Sequence, residues 1–323
     1  MSASTAPSAP PSTLRALVAD PLGAEAERVL LTAGFEVKRE TGLAGDALVA
    51  ALHGRQALLV RGATRVTAEV LAKAKTLKVV ARAGAGVDNI DVVAAQLHGI
   101  AVFNAPGANA VSVAEHTWGL VFAVLRHIPE ADATTRAGRW EKNRLMGLEV
   151  AGRTLGVVGL GWVGREVARI GVALRCRVLG YDPDPAAGGE LVGAERVDLE
   201  TLFTQSDIVS LHAPLTPQTR HLANHARMSR MKAGAVVINA ARGGLVDEEA
   251  LADLIAAGKL GGAGLDVFEH EPPGEHRLFA LPNVVLTPHL GGSTAEAQER
   301  AAVAAARAVC AYLAGESPPG RVV

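Results

Sequence analysis

Three glycines at a fixed spacing constrain this chain more than any other feature. Gly159, Gly161 and Gly164 stand between the apolar run Leu155-Gly156-Val157-Val158 and a helical stretch running from Arg165 to Leu174. In a strand–turn–helix unit the first such glycine permits a tight turn. The second lets backbone approach a pyrophosphate, and the third lets helix and strand pack closely. The helix N-terminus adds N–H donors and the positive end of its dipole. The next apolar run, Arg177 to Gly180, leads through Tyr181 into Asp182, eighteen residues past Gly164. A carboxylate at that distance bonds both hydroxyls of a ribose and repels a 2′-phosphate, so NAD is expected rather than NADP. Trp162, between the glycines, has no role that the pattern explains.

Short apolar runs alternate with helical patterns along the chain, which implies parallel sheets with helices on both faces. A first series runs through Arg15–Ala19, Phe35–Lys38, Ala57–Val60, Lys78–Arg82 and Ala101–Phe103. A second runs through Leu155–Val158, Arg177–Gly180, Ile208–Leu211, Ala235–Asn239, Gly264–Val267 and Val284–Leu286. A long apolar helical stretch, Val111 to His127, lies between them. With 323 residues, two domains are expected, since one core rarely grows past roughly 250–300 residues. The final helix, Thr294 to Leu313, has no strand after it and is expected to return to the first domain. Ser2 to Thr13 is rich in Ser, Ala and Pro and reads as a disordered lead-in.

A net charge of −1 gives no global field to recruit nucleic acid or an anionic membrane. Two cysteines, Cys176 and Cys310, build no disulfide framework and have no metal-ligand spacing, which fits a reducing cytoplasm. No apolar run approaches the roughly 18 residues that span a bilayer.

In an open parallel sheet the ligand sits beyond the carboxyl ends of the strands. The strand ending at Leu211 runs into His212-Ala213-Pro214. The one ending at Asn239 runs into Ala240-Ala241-Arg242-Gly243. Leu265 to Phe268 leads into Glu269-His270-Glu271-Pro272, and Val284 to Leu286 into Thr287-Pro288-His289. An arginine, one or two glutamates and, after the last strand, a histidine thus emerge at successive strand ends. An arginine grips a carboxylate through two parallel bonds, and a histidine exchanges a proton near neutral pH. The set suits hydride transfer at a carbon beside a carboxylate. Arg242 would hold the acid, and His289 would take the hydroxyl proton with Glu271 as its partner.

These pieces resemble the D-isomer-specific 2-hydroxyacid dehydrogenases, nearest to the members that oxidise phosphoglycerate. The likeness covers nearly the whole chain from Arg15. It is carried by Val60-Arg61-Gly62-Ala63-Thr64, Ala81–Asn89, Asn104-Ala105-Pro106-Gly107, Val113–Thr117, the glycine turn, Asn239–Gly243, Gly264–Phe268 and Pro288–Gly291. The resemblance implies an α/β fold of two domains, with a Rossmann-type NAD-binding domain (107–290) inserted into a discontinuous, flavodoxin-like substrate-binding domain (15–106 and 291–323). The lead-in then covers 1–14. A cleft that closes by hinging is implied too. Arg242, Glu271 and His289 are the implied catalytic set, chosen over Glu269 because Glu271 stands just before Pro272. Asp266 is implied to contact the nicotinamide amide. Gly159, Gly161, Trp162, Val163, Gly164, Asp182, Ala213, Pro214, Ala240, Ala241, Gly291 and Gly292 are implied to line the NAD. His116 reads as a packing residue of the helix between the domains.

Arg61 and Arg82, with Gly84 and Ala85, are the implied substrate-binding residues beside Arg242. Both arginines fall at strand ends and would reach a substrate phosphate, which favours D-3-phosphoglycerate and a place in serine biosynthesis. Glyoxylate, hydroxypyruvate or another 2-hydroxy acid is the alternative. Ala85 stands where the phosphoglycerate enzymes often carry threonine. The expected partners are the small acid and a second copy of the chain, joined through the NAD-binding domain. With the chain ending at Val323, feedback through a C-terminal regulatory domain is not expected. A different class, the NAD(H)-sensing corepressors, shares the scaffold and keeps catalytic-looking residues; turnover separates the two.

Overall fold

The computed structural model describes residues 13–187, 189 and 193–323. The expected disordered lead-in lies, up to residue 12, outside the described residues. Among the described residues two compact units form, one from 13–109 with 295–323 and one from 110–294.

The first unit has a five-stranded parallel sheet in the order β2-β1-β3-β4-β5. Its strands are β1 (Arg15–Val18), β2 (Glu36–Arg39), β3 (Ala57–Val60), β4 (Val79–Arg82) and β5 (Ala101–Phe103). Each crossover carries a helix: α1 (Ala24–Thr32), α2 (Gly45–Leu52), α3 (Ala68–Lys73) and α4 (Val92–Leu97). The central strands are apolar on both faces, and β3 is buried at all four residues, as a sheet covered by helices requires. The side chains of Thr67 and Asp91 accept from Val70 N and Ala94 N and so cap α3 and α4.

The second unit begins with α5 (Ala110–Leu125) and α6 (Ile128–Arg136). Its strands are β6 (Thr154–Val158), β7 (Arg177–Tyr181), β8 (Ala194–Arg196), β9 (Ile208–Leu211), β10 (Val236–Asn239), β11 (Gly262–Leu265) and β12 (Val284–Leu286). They form one parallel sheet in the order β12-β11-β10-β9-β6-β7-β8. Helices α7 (Trp162–Ala173), α8 (Leu199–Gln205), α9 (His225–Met228) and α10 (Glu248–Ala256) complete the unit. The order reverses between β6 and β9, which places the glycine turn after β6 at the switch point where such sheets bind ligands.

Two strands depart from the sequence reading. β8 carries no apolar run that could announce it, because it is a short edge strand pairing on one side only, with β7. β11 begins and ends two residues before the Gly264–Val267 run. Gly262, Ala263 and Gly264 pair with Val236, Val237 and Ile238, and their small size hides a strand from a hydrophobic pattern. Gly264 has no room for more, since a Cβ there would stand 2.9 Å from Leu120 Cβ of α5.

The last helix, α11 (Ala295–Leu313), packs within the first unit against α1 and β4. Its buried face is almost wholly alanine: Ala297, Ala301, Ala302, Ala305, Ala306 and Ala308, with Val309. Small side chains let the helix lie close over Ala16, Ala57 and Ala81 in the same core. Ala305 is fully buried. Replacing it with leucine should overpack this contact and lower unfolding stability by about 1–3 kcal/mol. Urea melts that match wild type within experimental error would show that the helix sits more loosely than described.

Candidate active site

The glycine turn has the shape its spacing implies. Gly159 takes φ +90, and a Cβ there would meet the His212 carbonyl at 2.7 Å. A Cβ on Gly164 would lie 1.8 Å from Gly159 O, so strand and helix touch there. A Cβ on Gly161 would meet nothing within 4 Å; this glycine faces open space, as one that admits a ligand should. Asp182, at the end of β7, accepts from Leu160 N at 2.7 Å and Asp184 N at 3.0 Å. The turn and the Asp182 carboxylate are thereby held together, and the cradle fits a dinucleotide. Trp162 is 59% exposed at the start of α7, with the Arg165 guanidinium 4.9 Å from its ring centroid.

His212 closes the neighbouring strand end. Its Nε2 pairs with the buried Ser210 Oγ at 2.8 Å. Its Nδ1 is buried with no hydrogen-bond partner among the described residues. Burial disfavours the charged ring and pushes its pKa down to about 3. Ala213 and Pro214 follow it, and Ala240 and Ala241 take the same place after β10.

Three adjacent strands then deliver the candidate chemistry. After β10, the buried Asn239 shapes the turn: its Nδ2 donates to Arg242 O at 2.8 Å, and Ala241 N donates to its Oδ1 at 3.1 Å. Arg242 leaves this turn and donates to Ala241 O at 2.7 Å. Gly243 follows because a Cβ would overlap Phe268 C at 1.9 Å. After β11 comes Glu271, and after β12 comes His289. The two meet, His289 Nδ1 to Glu271 Oε2 at 2.7 Å. Glu271 Oε1 accepts from Phe268 N at 3.2 Å. The pair forms the polar rim of an apolar cleft of about 620 Å³ lined by Phe268, Pro272, Phe279, Leu286 and Pro288. Glu269 turns elsewhere and pairs with Arg220.

Asp266 does more than the sequence suggested. Its side chain is buried and accepts from Leu290 N at 2.7 Å, Gly291 N at 2.8 Å and Thr287 Oγ1 at 2.6 Å. His116 Nε2 lies 3.1 Å from Asp266 Oδ1 and 3.0 Å from Thr287 Oγ1. Burial alone would raise this carboxyl. The donors from His116, Thr287, Leu290 and Gly291 outweigh it and hold the group below the usual carboxylate range. Asp266 thus fastens the turn that presents His289, and His116 has a polar task that its place in an apolar helix did not reveal.

In the first unit, Arg61 follows β3. Its backbone N donates to Asp20 Oδ2 at 2.5 Å, and Asp20 also accepts from Thr64 Oγ1 at 2.8 Å. Arg82, at the end of β4, is committed locally: Nε donates to Arg61 O at 3.0 Å and Asn89 Oδ1 at 2.9 Å, and Nη1 to Gly86 O at 2.7 Å. It braces the loop of Gly84 and Ala85, whose carbonyls accept from Ala105 N at 2.9 Å and Asn104 Nδ2 at 2.6 Å.

Residues 118–291 match the family model described as D-isomer specific 2-hydroxyacid dehydrogenase, NAD binding domain. The chain belongs to that family. It is 47% identical over 293 residues to a hydroxypyruvate reductase of Thermotoga maritima, covering 90% of this chain and 95% of that protein. It is 45% identical over 305 residues to a D-3-phosphoglycerate dehydrogenase of Methanocaldococcus jannaschii, covering 94% of this chain but 58% of that protein. The chain therefore spans little more than half the length of that relative. Among solved structures, the TT0316 protein from Thermus thermophilus overlays with a TM-score of 0.86 at 40% identity, covering 96% of this chain and all of that one. The second unit is accordingly an NAD-binding domain. Among the described residues there is no helix long and apolar enough to cross a membrane, and no cluster of metal-ligating side chains.

His212 generates a pH prediction. The unfolded chain binds a proton on this histidine below its ordinary value of 6.5, and the folded chain does not until about pH 3. Its contribution is therefore complete above pH 6.5 and is lost as pH falls toward 3, with a slope of up to about 1.4 kcal/mol per pH unit. In His212→Asn the stability–pH slope between pH 6 and 4 should be shallower than wild type in urea titrations. Equal slopes would mean that the ring is not shielded.

Proposed function

We propose that this chain catalyses the NAD-dependent oxidation of D-3-phosphoglycerate to 3-phosphohydroxypyruvate. The observation that carries the catalytic reading is the 2.7 Å contact between His289 and Glu271 on strands adjoining the Arg242 turn. With its Nδ1–H donated to Glu271, neutral His289 keeps a lone pair on Nε2. That nitrogen takes the proton of the C2 hydroxyl, and the ionised Glu271 steadies the imidazolium that results. Arg242 holds the substrate carboxylate through two parallel bonds and fixes C2. When bound, NAD supplies the two-electron acceptor. Asp182 favours its unphosphorylated ribose.

The phosphate is assigned to Arg61. Its guanidinium has no hydrogen-bond or ion-pair partner among the described residues, whereas Arg82 is engaged with the carbonyls around it and serves by holding the loop. The first unit is given the substrate-binding role, with Gly84 and Ala85 on its lip. Ala213, Pro214, Ala240, Ala241, Gly291 and Gly292 are assigned to the cofactor wall. We also assign a homodimer through the NAD-binding domain, on the family resemblance, and a cytoplasmic place in serine biosynthesis. A second reading, reduction of hydroxypyruvate or glyoxylate, is favoured by the likeness to the Thermotoga maritima protein along nearly its whole length.

A panel of 2-hydroxy and 2-keto acids followed by NADH absorbance separates these readings. Phosphoglycerate should be the preferred donor, and His289→Ala should lower kcat by about 10²–10⁴-fold while NADH still binds. Retention of more than a tenth of wild-type kcat in His289→Ala would rule out this histidine as the base. Arg61→Ala should raise KM for phosphoglycerate by about 10–100-fold, the scale of a lost charged hydrogen bond, and change KM for D-glycerate by less than twofold. Equal losses on both acids would remove the phosphate assignment.

A further inference from the structure

Glu271 can serve His289 only if the segment that bears it is held in place, and this segment has few apolar anchors. Residues 269–276 carry three glutamates, two histidines, two prolines and a glycine. Both ends of the segment are tied to one side chain. Glu248, the first residue of α10, accepts from Glu269 N on Oε1 at 2.8 Å and meets His276 Nε2 with Oε2 at 3.0 Å. The carboxylate is almost fully buried, and the imidazole is 16% exposed.

The hydrogen bonds determine which form of His276 is present. Leu278 N donates to His276 Nδ1 at 3.2 Å, so Nδ1 keeps its lone pair and the ring proton sits on Nε2, directed at Glu248. Both oxygens of Glu248 therefore face N–H donors, one from each end of the segment. Burial raises the Glu248 carboxyl, opposed by the Glu269 N–H and by His276. The other charged groups around this point are Glu269 with Arg220 and His221, and Arg277 with Glu249 and Asp253. Those pairs are more exposed, and exposed pairs hold weakly. Glu248 stands six positions after Arg242, so one short stretch carries both the carboxylate-gripping arginine and the tie for the Glu271 segment.

We propose that Glu248 and His276 act as positioning residues: they close the base of the 269–276 segment and set the reach of Glu271 to His289 without touching a reactant. The consequence rests on the catalytic reading given above, but the clamp itself does not. When it is opened, Glu271 stays on the chain and in the sequence, yet His289 loses a fixed partner. NAD binding, which draws chiefly on the glycine turn after β6 and on Asp182 after β7, stays as it was.

Two substitutions separate this role from simple stabilisation. His276→Leu removes both ring nitrogens. His276→Gln keeps an N–H donor for Glu248 and an oxygen for Leu278 N. His276→Leu should lose about tenfold in kcat with KM for the acid and Kd for NADH within twofold of wild type. His276→Gln should recover most of kcat. The His289 imidazole proton, followed by NMR in the full-length chain, should lose its strongly hydrogen-bonded downfield signal in His276→Leu and regain it in His276→Gln. If His276→Leu keeps the signal, the clamp is overturned. The same holds if Leu and Gln variants fall together. Should wild type turn over no 2-hydroxy or 2-keto acid, the function is wrong, and the NMR signal alone decides the clamp.

Discussion

The buried carboxylate of Asp266 is the contact on which the carboxyl edge of the second sheet depends. A charge taken out of water is costly unless donors replace the water, and here four donors converge on two oxygens. They come from α5, from Thr287 and from the backbone just past His289. The same residue's carbonyl accepts from His289 N at 2.8 Å. Strand β11, helix α5 and the turn after β12 are thereby joined through one side chain, and the direction of the His289 imidazole follows from that joint.

The device recurs. Asn239 shapes the Arg242 turn, Glu248 ties the Glu271 segment, and in the first unit Asp20 takes the backbone of Arg61 and both donors of Thr64. Like Asp266, each of these three side chains is nearly or fully buried. Parallel strands end abruptly at this edge, and the loops beyond them have little apolar surface with which to fix themselves. A buried acceptor or amide at the strand end substitutes for a core. Residues that reach toward water, such as Arg61 and His289, then stand on fixed footings, as positioned polar groups require.

Much of this was legible in the chain itself. The glycine spacing, the acid after β7 and the order of strand ends located the dinucleotide turn and gathered Arg242, Glu271 and His289 on neighbouring strands, because residue type and period carry that information directly. Other features were hidden for definite reasons. β8 is too short and too polar to show a pattern. β11 is built from glycine and alanine, which leave no hydrophobic signature. His116 sits within an apolar helix, and only the fold reveals that its ring meets a carboxylate 150 residues away. Arg82 ends a strand, and its hydrogen bonds to local carbonyls are invisible in one dimension. Glu248 and His276 are ordinary letters until the backbone brings them together.

His289 itself stands in the left-handed backbone region, at φ 55, which residues other than glycine adopt uncommonly. Such a residue carries roughly 1–3 kcal/mol of local strain. Glycine would relieve that strain, and its loss of the imidazole would end the proton transfer assigned here. The position therefore sets durability against usefulness: a chain bred only for heat resistance would drift away from histidine at this point, and the ring persists only where something other than folding demands it.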